Sequence, residues 1–518
     1  MALGRTMSVS LVGAHAEVVD VVVDVANGLP GFTLSAVTDR VLTQMAHRIR
    51  SAVSNSGEAW PSRKITVALS PATVPRAGSA FDLPVTCALL AAAESVPVDR
   101  LRDLVLLGEL GIDGSVRPIA GVLPAVIGAV RSGHTRFAVP RGNLREARLV
   151  PGAQVVGFSH LRELCAWLRG EFETVPDDDP TPTPVVAAVS EPDFAEVLGQ
   201  ARGRRAMEVA AAGAHHVFLS GPPGVGKTML AERLPGLLPD LTDDEALEVT
   251  AVHSLLGSLP PGSGLLTRPP FCAPHHTSST AAVVGGGHRI AAPGLISRAH
   301  RGVLFLDEAP EFARPVLDAL RQPLETGQVT IARAGAVVTY PCRFLLVLAA
   351  NPCPCVAGGQ EADPSRCQCN AVTKRNYQSR LSGPLRDRID LLVELDAVSR
   401  AVLTEGAAGE STAVVRSRVE AARDRARHRL RGTPWSTVGE IPGPTLRRRW
   451  PIPAAAMRPL LALVDRKTLS TRGFDRVLRV AWTIADLAGH DTPTSEDVAE
   501  SWGLRGGNWS PQALKQPA

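Results

Sequence analysis

The sequence predicts a multidomain α/β protein: an N-terminal α+β domain, a central P-loop α/β domain and a C-terminal helical lid. Three observations carry that prediction. A chain of 518 residues exceeds what one hydrophobic core can organise, so about three domains are expected. GPPGVGKT (Gly221–Thr228) fits G-x-x-x-x-G-K-[ST], with the apolar run HHVFLS before it and the helix-compatible TMLAERL after it. Finally, EFETVPDDDPTPTPVVAAVSEPDF, rich in proline and acids, reads as a linker between two differently patterned blocks.

Taken in order, residues 8–25 are valine-rich and partly alternating, hence β-structure, and NGLPGF is a turn. Residues 39–56 carry Val41, Met45, Ile49 and Val53 at helical spacing. KITVALSP is a strand and FDLPVTCALLAAAE an apolar helix; LVLLGELGIDGSVRPIAG is strand–turn–strand, followed by a helix from Leu123. The expected divisions are 1–170, a linker over 171–192, a P-loop core over 193–396, a lid over 397–505 and a tail over 506–518. The lid segment Arg416–Arg431 holds seven arginines.

Composition is that of an ordinary globular protein, 45% hydrophobic and 20% charged. A formal net charge of +4 gives no global basic field, so any nucleic-acid surface must be local. Aromatics at 4% weigh against base-stacking platforms. No apolar stretch reaches membrane-spanning length and the opening MALGRTMSVSLVG lacks an apolar signal core, which predicts a cytoplasmic protein without membrane partners.

The chemistry of a polyanionic phosphate chain explains the loop. Gly221, Pro222, Pro223, Gly224, Val225, Gly226, Lys227 and Thr228 would cradle it with backbone N–H groups, which glycines bring close. Lys227 offers a point charge to the β- and γ-phosphates, and the Thr228 hydroxyl is a hard ligand for Mg²⁺. GVLFLDEAPEF ends an apolar strand in Asp307-Glu308: one carboxylate for the metal shell, one to polarise the attacking water. RFLLVLAANPCPC ends a third strand at Asn351, whose amide can orient that water. Arg380, Arg386, Arg388 and Arg472 are candidates for a neighbour-supplied arginine finger and a lid sensor, roles that composition alone does not assign.

Together these motifs resemble the magnesium-chelatase-like AAA+ ATPases of the YifB/ComM type, nearly end to end. The carrying signatures include GLPGF, NSGEAWPSRKITVALSPA, LLGELGIDGSVRPIAGVLPA, FCAPHHTSSTAAVVGGG, PGLISRAHRGVLFLDEAPEF, LRQPLETGQVTIARA, RLSGPLRDRIDL and LSTRGFDRVLRVAWTIADLAG. The resemblance implies ATP and Mg²⁺ as cofactors, Walker A at Gly221–Thr228, Walker B at Asp307-Glu308, sensor 1 at Asn351, the finger at Arg388 and sensor 2 at Arg472. It also implies a hexameric ring with ATP at subunit boundaries, and, for competence-type members, a DNA motor promoting branch migration. Arg386 stands where the family has leucine, so two arginines compete for the finger role.

Residues 1–170 resemble the S5-like α+β proteolytic domain of Lon proteases, with Ser79 at the nucleophile position. The activating lysine of that family is missing from PIAGVLPAVI, and Lys64 is the only lysine in the block. A serine without a base is a weak nucleophile, so a binding or ring-organising module is expected rather than a protease.

Cys353, Cys355, Cys367 and Cys369 form C-x-C-x₁₁-C-x-C, compatible with a structural Zn²⁺ site, although C-x-C is tighter than the usual pair spacing. Adjacent His275 and His276 are expected to point apart, in a loop role. Non-sequence-specific DNA contact is expected at the insertion between Walker A and Walker B, about residues 257–300 (with Arg268, His275, His276, Arg289, Arg298 and the adjoining Arg301), at a hairpin over Gln328–Pro341 with Arg333 near its tip, or at the arginine-rich lid helix. Two alternatives stay open: a chelatase-type remodeller, for which the chain lacks the partner's D-x-S-x-S segment, and an ATP-gated binding module.

Overall fold

The computed structural model describes residues 2–34, 39–71, 80–171, 192–260, 262–287, 291–333, 336–355, 369–398 and 409–507. The N-terminal part is a seven-stranded sheet in the order Gly31–Leu34, Lys64–Ser70, His15–Ala26, Ala2–Val12, Leu104–Leu106, Arg136–Pro140, Gln154–Phe158. Its first two strands form a long antiparallel hairpin, Ala2 opposite Val25 through Val12 opposite His15, and its outer strands run parallel to their neighbours. The alternation in HAEVVDVVVDVA has a physical cause: Val19, Val21, Val23 and Val25 point into the core while the residues between them face outward. FDLPVTCALLAAAE forms the helix Asp82–Ala92, buried on every side, which is why its sequence shows no polar stripe. Asp82 is buried there only because Arg48 donates to it at 2.6 and 3.1 Å.

The central part is a five-stranded, all-parallel sheet in the order Phe271–Cys272, Val303–Leu306, Leu345–Ala350, Val217–Ser220, Leu391–Glu394. Val303–Leu306 and Leu345–Ala350 are wholly buried, as expected of strands covered on both faces. In such a sheet the loops after the strands gather at the carboxyl edge, so motifs distant in sequence meet there. The predicted hairpin is present as Gln328–Arg333 paired with Ala336–Pro341.

The C-terminal part is helical. Thr412–Arg429 and Thr471–Ala488 pack on the core helix Ala201–Gly213, and Ser495–Leu504 packs on Thr471–Ala488. Thr412–Arg429 changes one expectation. Its arginines are largely spent inside the protein: Arg416 meets Glu420 and Asp240, Arg418 meets Glu208 and Glu410, Arg423 bonds the Ala211 carbonyl, and Arg429 meets Asp486. This helix cements the lid to the core, so it is a poor DNA surface. No described helix is long and apolar enough to cross a membrane.

Candidate active site

The strand Val217–Ser220 delivers the loop Gly221–Gly226, and the helix Lys227–Leu237 starts directly behind it, its N-terminus facing the space the loop encloses. Gly224 and Gly226 have φ of +78° and +91°, and a Cβ at either would meet nothing within 4 Å. Glycine is needed there for the left-handed backbone, and the loop's concave side is open. Gly221 is required for another reason: a Cβ there would lie 2.6 Å from the Leu395 carbonyl.

The Lys227 ammonium is buried and donates to Gly221 O and Pro222 O at 2.8 Å each, and to Asn351 Oδ1 at 3.0 Å. Burial lowers its pKa below the ordinary lysine value, opposed by the charges of Asp307 and Glu308. Thr228 Oγ1 donates to Asp307 Oδ2 at 3.0 Å. A hydroxyl and a carboxylate at that separation are a donor set suited to a shared Mg²⁺, whose hard character matches both oxygens. Asp307 is fixed by accepting from the Glu308 N–H at 2.9 Å, and Glu308 itself has φ of +49°, a left-handed backbone that costs a non-glycine residue on the order of 1 kcal/mol. The structure thus brings Lys227, Thr228, Asp307, Glu308 and Asn351 to one edge of one sheet.

It places Arg388 and Arg472 elsewhere. Arg388 precedes Leu391–Glu394, so it lies at the amino edge of the sheet, whereas the P-loop packs on Leu395 at the carboxyl edge. Arg388 is held by Glu325 and by Pro384 O. Arg472 starts the helix Thr471–Ala488 and sits 3.4 Å from Asp387. Arg386 is exposed on the same segment, and Arg380 pairs with Glu311 at 2.8 Å. One turn beyond Arg472, Arg476 donates at 2.8 Å to the buried Asp390, which also meets His215 Nδ1 at 2.9 Å. Burial alone would raise the Asp390 carboxyl; Arg476, His215 and Arg479 hold it well below the usual carboxylate range.

His276 is the site residue that sequence reasoning missed. The imidazoles of His275 and His276 do not diverge: their centroids are 4.2 Å apart, and His276 Nδ1 lies 3.4 Å from Glu308 Oε2. The cause is the register of Phe271–Cys272 beside Val303–Leu304, which brings the loop after one strand against the acids after the other. A two-residue strand leaves almost no periodic signal, so the proximity was invisible in sequence. Tyr377 is a second omission. Its buried hydroxyl has no hydrogen-bond partner among the described residues, and its pKa is pushed up to about 12 by burial, with Glu311 and Glu308 adding to it.

Immediately after Asn351, the thiols of Cys353, Cys355 and Cys369 lie within 4.8 Å of one another, a cluster able to hold a metal. Cys367 and Ser79 lie outside the described residues, as do Arg289 and most of the linker and tail. Arg333 is at the hairpin tip, donating to Gly287 O at 3.3 Å. Two of the other basic residues predicted to meet DNA are already neutralised: Arg301 by Glu245 and Glu248, and Arg268 by Asp240 at 3.1 Å.

Comparison with known proteins decides the family. Family models match in three consecutive pieces: "Subunit ChlI of Mg-chelatase" over residues 21–143, "Magnesium chelatase, subunit ChlI" over 193–403, and "Magnesium chelatase, subunit ChlI C-terminal" over 409–505. Escherichia coli YifB, an uncharacterised protein, is 38% identical over 98% of this chain and 97% of its own length. The competence protein ComM of Haemophilus influenzae is 36% identical over 98% of both. The chain belongs to the YifB/ComM-type magnesium-chelatase-like family. An uncharacterised Mycobacterium tuberculosis protein is 51% identical over 98% of this chain and 99% of its own. Members of this family are AAA+ proteins, and the P-loop assembly described above is the part of the fold that an ATPase of that class requires.

Proposed function

We propose that this chain is an ATP-hydrolysing ring motor that acts on DNA, in the manner of a competence-type helicase or branch-migration enzyme. The observation that carries the proposal is the division of its machinery. Lys227, Thr228, Asp307, Glu308 and Asn351 converge at one sheet edge, while Arg388 and Arg472 gather at the other. Such a chain has half a site on each of two faces, and a ring, hexameric in the family expectation, joins the halves.

In that reading Gly221–Thr228 and Asp307 hold ATP and Mg²⁺, and the bound metal supplies charge neutralisation at the phosphates. Lys227 exchanges its bonds to the loop carbonyls for phosphate oxygens. Glu308 orients and deprotonates the attacking water, with His276 setting the position of its carboxylate. Asn351, already tied to Lys227, reports occupancy to the strand behind it. Cys353, Cys355 and Cys369, together with Cys367, bind structural Zn²⁺ and fix the segment behind Asn351; reduced protein purified without chelator should contain about one zinc per chain. The N-terminal part serves as a Lon-like, non-proteolytic binding module, and the protein works in the cytoplasm. Casein cleavage abolished by Ser79→Ala would overturn that assignment.

The hairpin tip at Arg333 contacts the DNA backbone without sequence preference. The test is ATPase turnover with and without single-stranded and forked DNA, alongside strand displacement. DNA stimulation that Arg333→Ala weakens while basal turnover stays supports the proposal. A match to magnesium-chelatase subunit models keeps a protein-remodelling alternative in view. Turnover indifferent to every DNA and stimulated by a protein partner would favour that alternative.

A further inference from the structure

A cleft of about 820 Å³ opens between the amino edge of the central sheet and the helical C-terminal part. Its floor is formed by His216, Leu345 and Asp390, the residues from which three of the parallel strands set out. The P-loop follows the other end of one of those strands, so the cleft is separated from Lys227 by the length of Val217–Ser220, about 13 Å of extended chain.

Charge in the cleft is unbalanced. Its walls carry seven arginines and five carboxylates. Four arginines are matched: Arg301 with Glu245, Arg343 with Glu440, Arg388 with Glu325 and Arg476 with Asp390. The fifth carboxylate, Asp240, is taken by Arg416 and Arg268 from outside the lining, and Arg427 turns to Asp424. That leaves Arg423 and Arg479, neither of which has a carboxylate partner among the described residues. Arg423 spends two N–H groups on one carbonyl, Ala211 O, at 2.9 and 2.6 Å. Arg479 Nε is buried with no hydrogen-bond partner among the described residues, and so is Arg388 Nε on the facing wall. Burial pushes both the Arg423 and the Arg479 guanidinium down to about 10. Arginine does not shed its charge at neutral pH, so each remains a desolvated cation, eased only by carboxylates already ion-paired to other arginines: Asp390 for Arg479, Glu245 and Glu440 for Arg423.

We propose that this cleft is an oligophosphate-binding site, separate from the P-loop, in which a phosphate chain bridges Arg423 and Arg479 of the lid to the core. The chemistry selects the ligand class. Guanidinium forks pair bidentately with phosphate oxygens. Two unmatched cations call for more than one negative charge, and the space is far larger than a single small ion requires. The donors come from Thr412–Arg429 and Thr471–Ala488 on one side and from the start of the sheet on the other, so an occupied cleft fixes the lid against the core. The phosphate chain can be inorganic or part of a nucleotide.

The experiment uses the full chain carrying Lys227→Ala, which disables the P-loop, and titrates inorganic tripolyphosphate and ATP separately by calorimetry without Mg²⁺. Saturable binding near one per chain, weakened at least tenfold by adding Arg423→Ala and Arg479→Ala together, is the expected result. Equal binding of both ligands identifies the phosphate chain alone as the determinant; binding of ATP only identifies a nucleotide. Arg479→Gln serves as a milder variant, and ADP binding to the Arg423→Ala, Arg479→Ala protein with Lys227 intact verifies that it folds. Absence of saturable heat with both ligands overturns the proposal. So does binding that the arginine substitutions leave unchanged, or self-association lost in Arg479→Gln with tripolyphosphate affinity intact, which would assign the cation to an acidic group of a neighbouring copy.

Discussion

Replacing Arg388 by alanine separates a site completed within one chain from one completed by a neighbour. The strand Leu391–Glu394 alone spans about 13 Å, and Arg388 lies beyond its start while the P-loop packs on its end at Leu395. An arginine side chain, roughly 7 Å long, does not cover that gap, so Arg388 is out of reach of phosphates held on its own Lys227. If it acts as a finger in trans, its loss should lower kcat by about 10³-fold or more. Lys227→Ala protein should be inactive because it cannot hold the phosphates. A mixture of these two inactive proteins should nevertheless recover activity. In random one-to-one rings about one quarter of the interfaces pair an intact P-loop with an intact Arg388, so about a quarter of wild-type turnover is expected. The assay is steady-state phosphate release after co-incubation. A mixture as inactive as its components, with mixed rings demonstrated by tagged pull-down, would refute the trans assignment of Arg388. The same mixture made with Arg386→Ala decides between the two arginines, because Arg386 is exposed whereas Arg388 is partly committed to Glu325.

Three further outcomes follow from particular contacts. His276→Ala should lower kcat by about fivefold or less while leaving KM for ATP within about twofold, the size expected for losing one partly exposed ion-pair contact; an unchanged kcat removes His276 from the site. Asp390→Ala should destabilise the lid–core junction by roughly 3 kcal/mol, since it strands Arg476 and His215 in a buried setting; urea unfolding followed by hydrogen exchange in Thr471–Ala488 reads this, and unaltered exchange would contradict it. His216 accepts from the Leu346 N–H at 3.1 Å and burial pushes its pKa down to about 4. The unfolded chain therefore binds the extra proton first, so this contribution is complete above about pH 6.5 and is lost as pH falls toward 4, by up to about 3 kcal/mol. His216→Asn should flatten that limb of the stability–pH curve, and an unchanged limb would exclude His216 as its source.

The parts legible in the sequence were those whose chemistry is local. GPPGVGKT and DEAPEF each sit at the end of an apolar strand, and a parallel sheet brings strand ends together without further instruction. Asn351 was legible for the same reason. The hairpin at Gln328–Pro341 announced itself by alternation, Val329, Ile331, Val338 and Tyr340 facing the core. What stayed hidden depended on partners far away in the chain. The arginines of Thr412–Arg429 read as a charged surface because Glu208 and Asp240, which neutralise Arg418 and Arg416, lie about two hundred residues earlier. His276 was misjudged because its neighbour Glu308 comes from another strand, and local backbone geometry says nothing of that. The placement of Arg388 and Arg472 on the edge opposite Lys227 needed the direction of Leu391–Glu394 in the sheet, which motif order alone does not supply.

The central claim is that the acids at the end of Val303–Leu306 hydrolyse ATP held by the loop at the end of Val217–Ser220. Its most direct test is Glu308→Gln, which keeps the shape of the side chain and removes its charge. ATP affinity by equilibrium binding should stay within about threefold of wild type while turnover falls by about 10²-fold or more, the scale of losing a positioned general base. Wild-type turnover in Glu308→Gln would contradict the account, and so would loss of ATP binding together with turnover.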